Sequence, residues 1–130
     1  MMRESLIRAY LDALASAAQG DALARFFTAD AEQVELPSRL NPNGQRSDLA
    51  HLLERAQRVP GLLSAQRFDI VSMVLEGDRA AVEATWRGTL AIALGGLPAG
   101  ATMTAHFAMF FEFEGDRIRR QRNYDCFEPW

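Results

Sequence analysis

Between Met103 and Phe113 every second residue is apolar: Met103, Ala105, Phe107, Met109, Phe111 and Phe113. A period of two sustained over that length makes a β-strand with one buried face. Thr102, Thr104, His106, Ala108, Phe110 and Glu112 form its other face. Glu114-Gly115-Asp116 is hairpin chemistry, so the chain returns along a second long strand that ends in Gln121, Asn123 and Asp125. The bulky residues of the first strand are expected to wall a cavity, and the alternate polar residues of the second to point into it.

The chain ahead of this hairpin supplies helices and more sheet. Leu6, Ile7, Tyr10, Leu11, Leu14 and Ala18 recur at helical spacing, and Gln19-Gly20-Asp21 stops that helix. Asp21 is placed to cap a short second helix carrying Leu23, Phe26 and Phe27 on one side. Glu32 to Leu36 alternates as a short strand ended by Pro37, and residues 38–46 are turn chemistry throughout. Ser47 or Asp48 caps a third helix with Leu49, Leu52, Leu53 and Ala56, which stops before Pro60-Gly61. Gln66 to Leu75, the turn Glu76-Gly77-Asp78, and Ala80 to Leu90 read as another hairpin. In its second strand Val82, Ala84, Trp86, Gly88 and Leu90 share one face. A loop at Gly95–Gly100 leads to the terminal hairpin. Helices first and antiparallel sheet after make one α+β domain over residues 1–130, with the helices covering one sheet face.

Composition excludes some function classes. A formal charge of −3 is too small for an acidic or basic partner-binding tail. Arg117, Arg119, Arg120 and Arg122 are split between two strand faces with no aromatic stacking platform beside them, so no nucleic-acid partner is expected. His51 and His106 lie in unrelated places and Cys126 stands alone, which gives a metal site no support and a disulfide no partner. No long apolar run suggests a membrane span or leader, and the expected location is the cytoplasm.

Three stretches carry a resemblance. They are Tyr10-Leu11-Asp12-Ala13-Leu14 with Gly20-Asp21, Phe27-Thr28-Ala29-Asp30 running to Val34-Glu35-Leu36-Pro37, and Gly115-Asp116-Arg117-Ile118 followed by Arg122-Asn123-Tyr124-Asp125. Their order and spacing over the whole chain resemble the SnoaL-like group of the nuclear transport factor 2-like superfamily, relatives of polyketide cyclases, ketosteroid isomerases and limonene epoxide hydrolases. The resemblance implies a cone: three N-terminal helices packed in a highly curved antiparallel sheet that encloses a pocket. It also implies a homodimer through the outer sheet face, where Phe110 beside Ala108 would need cover.

Residue by residue, the resemblance implies an altered site. Tyr10 matches the oxyanion-binding tyrosine of ketosteroid isomerases. The position of their catalytic base is Leu36 here, and that of their second oxyanion donor is Met109. An aspartate of the epoxide hydrolases becomes Asn123, which positions water or polarises an oxygen but is no general base. Asp125 stands where SnoaL-type cyclases keep one acid/base aspartate, and burial beside Phe107 and Trp86 would raise its pKa. The expected catalytic set is Asp125 to move the proton, with Tyr10 and Asn123 to hold an oxyanion or a water. The expected ligand wall is Trp86, Phe107, Met109, Leu36 and Gln121, and Glu35 is left outside the site. No cofactor or metal is expected. The function implied is cofactor-free isomerase, cyclase or hydrolase chemistry on a small hydrophobic molecule that is cyclic or carbonyl-bearing. The other reading is a non-catalytic ligand- or protein-binding scaffold that kept the fold.

Overall fold

The computed structural model describes residues 2–130; Met1, at the edge of the expected domain, lies outside them. Helix α1 (Arg3–Ala15) buries Leu6, Ile7, Tyr10 and Leu11 along one stripe, as the spacing requires. Helix α2 (Asp21–Ala24) is a single turn opened by Gly20; Asp21 is its first residue, and no side chain caps it. Phe27 does not belong to that helix but opens strand β1 (Phe27–Glu35), which is longer than the alternation of its second half suggested.

A short strand β2 (Gln45–Asp48) emerges from the expected turn region and pairs antiparallel with β1. The turn between them is held by Gly44. It has φ +67°, and a Cβ there would sit 2.7 Å from the carbonyl oxygen of Glu35, so only glycine fits. Helix α3 (Leu49–Ala56) is capped by Asp48, whose Oδ1 accepts from the backbone N–H of His51 at 2.9 Å. Pro60 does not end the helical region. It sits in the first turn of a separate helical turn, α4 (Val59–Leu62), where its missing N–H costs nothing.

Strands β3 (Leu63–Glu76), β4 (Arg79–Leu90), β5 (Thr102–Glu114) and β6 (Arg117–Phe127) follow. The sheet order is β2-β1-β6-β5-β4-β3. Every neighbouring pair is antiparallel except β1 and β6, which run parallel, so the sheet is mixed rather than antiparallel throughout. Register shifts interrupt β1/β6, β3/β4 and β5/β6, and such bulges bend and twist a sheet. The result is the curved α+β cone, with helices inside its concave face.

The core follows the alternation. Ala80, Val82, Ala84, Trp86 and Leu90 of β4 are buried, as are Met103, Ala105, Phe107, Met109, Phe111 and Phe113 of β5. Tyr10 ties helix to sheet, with its ring 5.5 Å from Phe27 and 6.1 Å from Phe111, both edge-on. Among the described residues no helix is long and apolar enough to cross a membrane, and no group of three or more His, Cys, Asp or Glu side chains could hold a metal ion.

Candidate active site

Gln121, Asn123 and Asp125 fall at alternate positions of β6 and therefore share its inner face. In register on one side stand Phe111, Met109 and Phe107 of β5. On the other side β1 places Gln33 beside Gln121 and Glu35 beside Asn123. Strand β6 thus separates an apolar wall from a polar one. Together with α1, α3 and the loops at the open end they enclose a cavity of about 570 Å³.

The polar wall is a connected chain of hydrogen bonds. Tyr10 donates its hydroxyl to Gln121 Oε1 at 2.9 Å, and Gln33 Nε2 donates to the same oxygen at 3.1 Å. Gln121 Nε2 in turn donates to Asn123 Oδ1 at 2.9 Å. With its oxygen occupied in this network, the Asn123 amide nitrogen is the group left to donate to a ligand. Tyr10, Gln121 and Asn123 are all buried. Burial drives the Tyr10 phenol above its ordinary pKa, opposed in part by the Gln121 hydrogen bond.

Asp125 lies two residues beyond Asn123, the last β6 residue paired with β1, so no β1 residue is in register with it. Its Oδ1 is buried and has no hydrogen-bond partner among the described residues. Phe107 faces it across the β5/β6 pair, and Phe107 stacks on Trp86 at 5.6 Å with the rings 10° from parallel. A carboxylate against such a wall loses hydration. Its pKa is pushed up from 3.8 to about 7, first by burial and second by the negative charge of Glu35.

Gln33, Glu35 and Arg55 join the site without having been expected from the sequence. Glu35 lines the cavity, and Leu36, expected in the ligand wall, does not. The reason is the β1 register. Ala31, Gln33 and Glu35 share the inner face, so Leu36 alternates away while its N–H bonds the Asn123 carbonyl at 2.9 Å. Arg55 of α3 grips both oxygens of Glu35 at 3.0 and 3.1 Å and reaches Ser47 Oγ at 3.3 Å and Gln33 Oε1 at 3.5 Å. Asn41 adds a bond to Glu35 at 3.4 Å and one to Gln45 at 3.1 Å. Counting in twos from Ala31 would have found Glu35. Arg55 adjoins Ala56 and lies three residues past Leu52, at the edge of the buried stripe. Trp86, Phe107, Met109 and Gln121 line the cavity with Tyr10, Asn123 and Asp125; His51 does not.

Fold and site together define an α+β cone whose cavity is apolar on one wall and hydrogen-bonded on the other. The chain belongs to the SnoaL-like domain family of the nuclear transport factor 2-like superfamily, which it matches over residues 7–121. The matched segment stops at Gln121, so Asn123 and Asp125 lie beyond it. A candidate polyketide cyclase from Streptomyces antibioticus has the same fold, with a TM-score of 0.77 at 20% identity, covering 96% of this chain and 92% of that one. So does a candidate polyketide cyclase from Xanthomonas campestris, with a TM-score of 0.75 at 24% identity and coverage of 93% and 87%. A candidate hydroxylase from Streptomyces galilaeus gives 0.77 at 14% identity, with 98% and 80% covered. At these identities the likeness is one of fold. No curated protein sequence matches the chain.

Proposed function

We propose that this protein performs cofactor-free acid/base chemistry on a small, largely apolar, carbonyl-bearing molecule, with Asp125 as the proton-transfer group. The observation that carries the reading is the Asp125 carboxyl, buried at Oδ1, unpartnered, and raised to about 7 inside the cavity. A carboxyl titrating there is present in both forms near neutrality, the condition a single acid/base group needs. As carboxylate it would take a proton from the carbon next to the ligand carbonyl; the C–H electron pair would become a C=C bond and the carbonyl π pair would move to oxygen, giving an enolate. The carboxylic acid so formed would return the proton at another carbon, giving an isomer, or the enolate carbon would attack a second carbonyl carbon of the same ligand, whose π pair moves to its oxygen and takes the proton back from Asp125, closing a ring as an aldol.

Asn123 is the donor aimed at the developing oxyanion, because its own oxygen is engaged by Gln121. Tyr10 acts at one remove. Its proton is committed to Gln121, so it is a positioning residue that holds the amide chain. Trp86, Phe107 and Met109 supply the apolar wall that excludes water from the reacting atoms. The homodimer belongs to the same proposal. Phe110 and Tyr124 pack edge-on at 5.7 Å on the outer sheet face and are exposed there, which favours cover by a second copy.

The test is a thermal-shift panel of cyclic enones, hydroxyquinones, lactones and cyclic epoxides, repeated with Asp125→Asn. A ligand at about a hundred times its Kd stabilises the fold by roughly 2.7 kcal/mol. Binding by both forms with turnover by the wild type alone is the expected result. Binding by both with turnover by neither would replace catalysis with the scaffold reading for that ligand class.

A further inference from the structure

The depth of the cavity is buried, with one apolar and one polar wall, and its exposed rim is apolar except for Arg58. Leu40, Leu62, Ile92 and Leu94 all line the cavity and are all exposed, by 43, 49, 49 and 36%. They come from three separate segments: the β1–β2 loop, helix α4 and the β4–β5 loop. Isolated exposed leucines need no explanation, but a ring of them around one opening does.

The ring is held by specific ties. The Ala91 N–H bonds the Leu62 carbonyl at 2.8 Å, which seats Ile92 beside α4. Leu94 and Leu97 exchange two backbone hydrogen bonds of 2.9 Å, fixing the tip of the β4–β5 loop. Trp130 sits between that loop and the other. The Arg39 guanidinium lies 3.9 Å from the centre of its ring, and a Cβ on Gly95 would stand 3.9 Å from its Nε1. Trp130 also meets Phe127, a cavity-lining residue, edge-on at 5.8 Å. These contacts tie the β4–β5 loop to α4 and, through Trp130, to Arg39 of the β1–β2 loop.

Resting on the carbonyl-binding reading of the same cavity, we propose that the natural ligand is amphipathic, with a carbonyl-bearing head at Asn123 and Asp125 and an apolar tail that leaves through the Leu40, Leu62, Ile92 and Leu94 rim. The rim is continuous with the apolar wall through Leu63 and Leu90, which line the cavity below it. A tail running from the wall to the opening stays in apolar contact throughout. The exposed sheet residues Phe110 and Tyr124 do not line this cavity, so the rim is not an extension of that surface.

The probes are α-tetralone and its propyl and hexyl derivatives, alkylated on the aromatic ring opposite the carbonyl, with binding read by tryptophan fluorescence. The expected result is an affinity that rises with chain length, by up to roughly fourfold for each methylene buried. Ile92→Ser combined with Leu94→Ser, both exposed and tolerable to the fold, abolishes most of the gain from the hexyl chain and leaves α-tetralone unchanged. Equal affinities across the series, no binding by any member, or a gain that survives the double substitution overturns the proposal. A wild-type dimer that the same double substitution dissociates on sedimentation also overturns it, in favour of a second copy on the rim. Asn123→Ala weakens all three probes alike. If it changes none of them while the length dependence persists, the head-group reading fails and the tail site stands.

Discussion

The hydroxyl of Tyr10 donates to Oε1 of Gln121 across 2.9 Å, joining the long helix to the strand that carries Asn123 and Asp125. Both partners are almost wholly buried, at the inner wall of the cavity. It orients the Gln121 amide, which orients the Asn123 amide in turn. The geometry of the candidate active site is therefore set from α1.

Tyr10→Phe keeps the ring contacts and removes one donor, and Gln121 Oε1 retains Gln33. The expected loss is about 1 kcal/mol, read from urea unfolding. Gln121→Leu strands the Tyr10 hydroxyl, the Gln33 amide and Asn123 Oδ1 and is expected to cost about 2 to 4 kcal/mol. If Tyr10→Phe proves the more damaging of the two, Gln121 is not the hub.

Asp125 makes stability depend on pH in a known direction. Its folded pKa is about 7 against an ordinary 3.8, so between those values the folded chain holds a proton that the unfolded chain has released. Fewer protons on the unfolded state means that this residue's contribution falls as pH rises through that window, and is flat on either side. Asp125→Asn is neutral throughout. Its stability relative to wild type is expected to grow across the window and then level off, as followed by denaturation midpoints in a pH series. A constant difference would show that Asp125 titrates alike in both states.

Glu35→Gln removes the one charged group that raises Asp125. The Asp125 pKa is expected to drop towards, but not to, its ordinary value, because burial is the larger cause. Carboxyl carbon NMR titration reads this directly, and an unmoved Asp125 resonance would remove Glu35 from the site's electrostatics. The amide still accepts from Arg55 but loses the charge pairing, at an expected cost of about 1 to 2 kcal/mol for this partly buried pair.

Gly88 is a glycine because Trp86 lies across it. A Cβ there would fall 2.4 Å from two atoms of the indole ring. That ring is held by its stack on Phe107 and by Nε1 donating to Gln66 at 2.9 Å, so it has little freedom to yield. Gly88→Ala is expected to destabilise by about 1 to 3 kcal/mol and to change tryptophan emission by shifting the cavity wall. Unchanged emission with unchanged stability would mean that the ring is free to move aside.

Much of the fold is legible in local pattern. Leu6, Ile7, Tyr10 and Leu11 announce α1, the alternation through β4 and β5 announces its own buried faces, and the glycines at 77 and 115 mark tight turns. The candidate site was legible at Tyr10 on the buried stripe of α1, at Trp86, Phe107 and Met109 on the apolar faces of β4 and β5, and on β6, where Gln121, Asn123 and Asp125 share a face whatever pairs with that strand. Glu35 and Leu36 were assigned to the wrong faces, because the apolar pair Val34 and Leu36 reads as the buried side, whereas the polar wall of the cavity takes Gln33 and Glu35 inward. Arg55 reads as a solvated helix residue until its partner is known.

The sequence by itself determined the long helix α1, helix α3, the long strands and the apolar faces of β4 and β5, since periodicity, turn chemistry and side-chain volume act between near neighbours. Tertiary structure alone decided that β1 runs parallel to β6 in the register that sets Glu35 beside Asn123. That pairing brings together residues far apart in the chain. It sets which carboxylate Arg55 holds and leaves Asp125 just past the last paired position, buried against Phe107 and free to carry a proton.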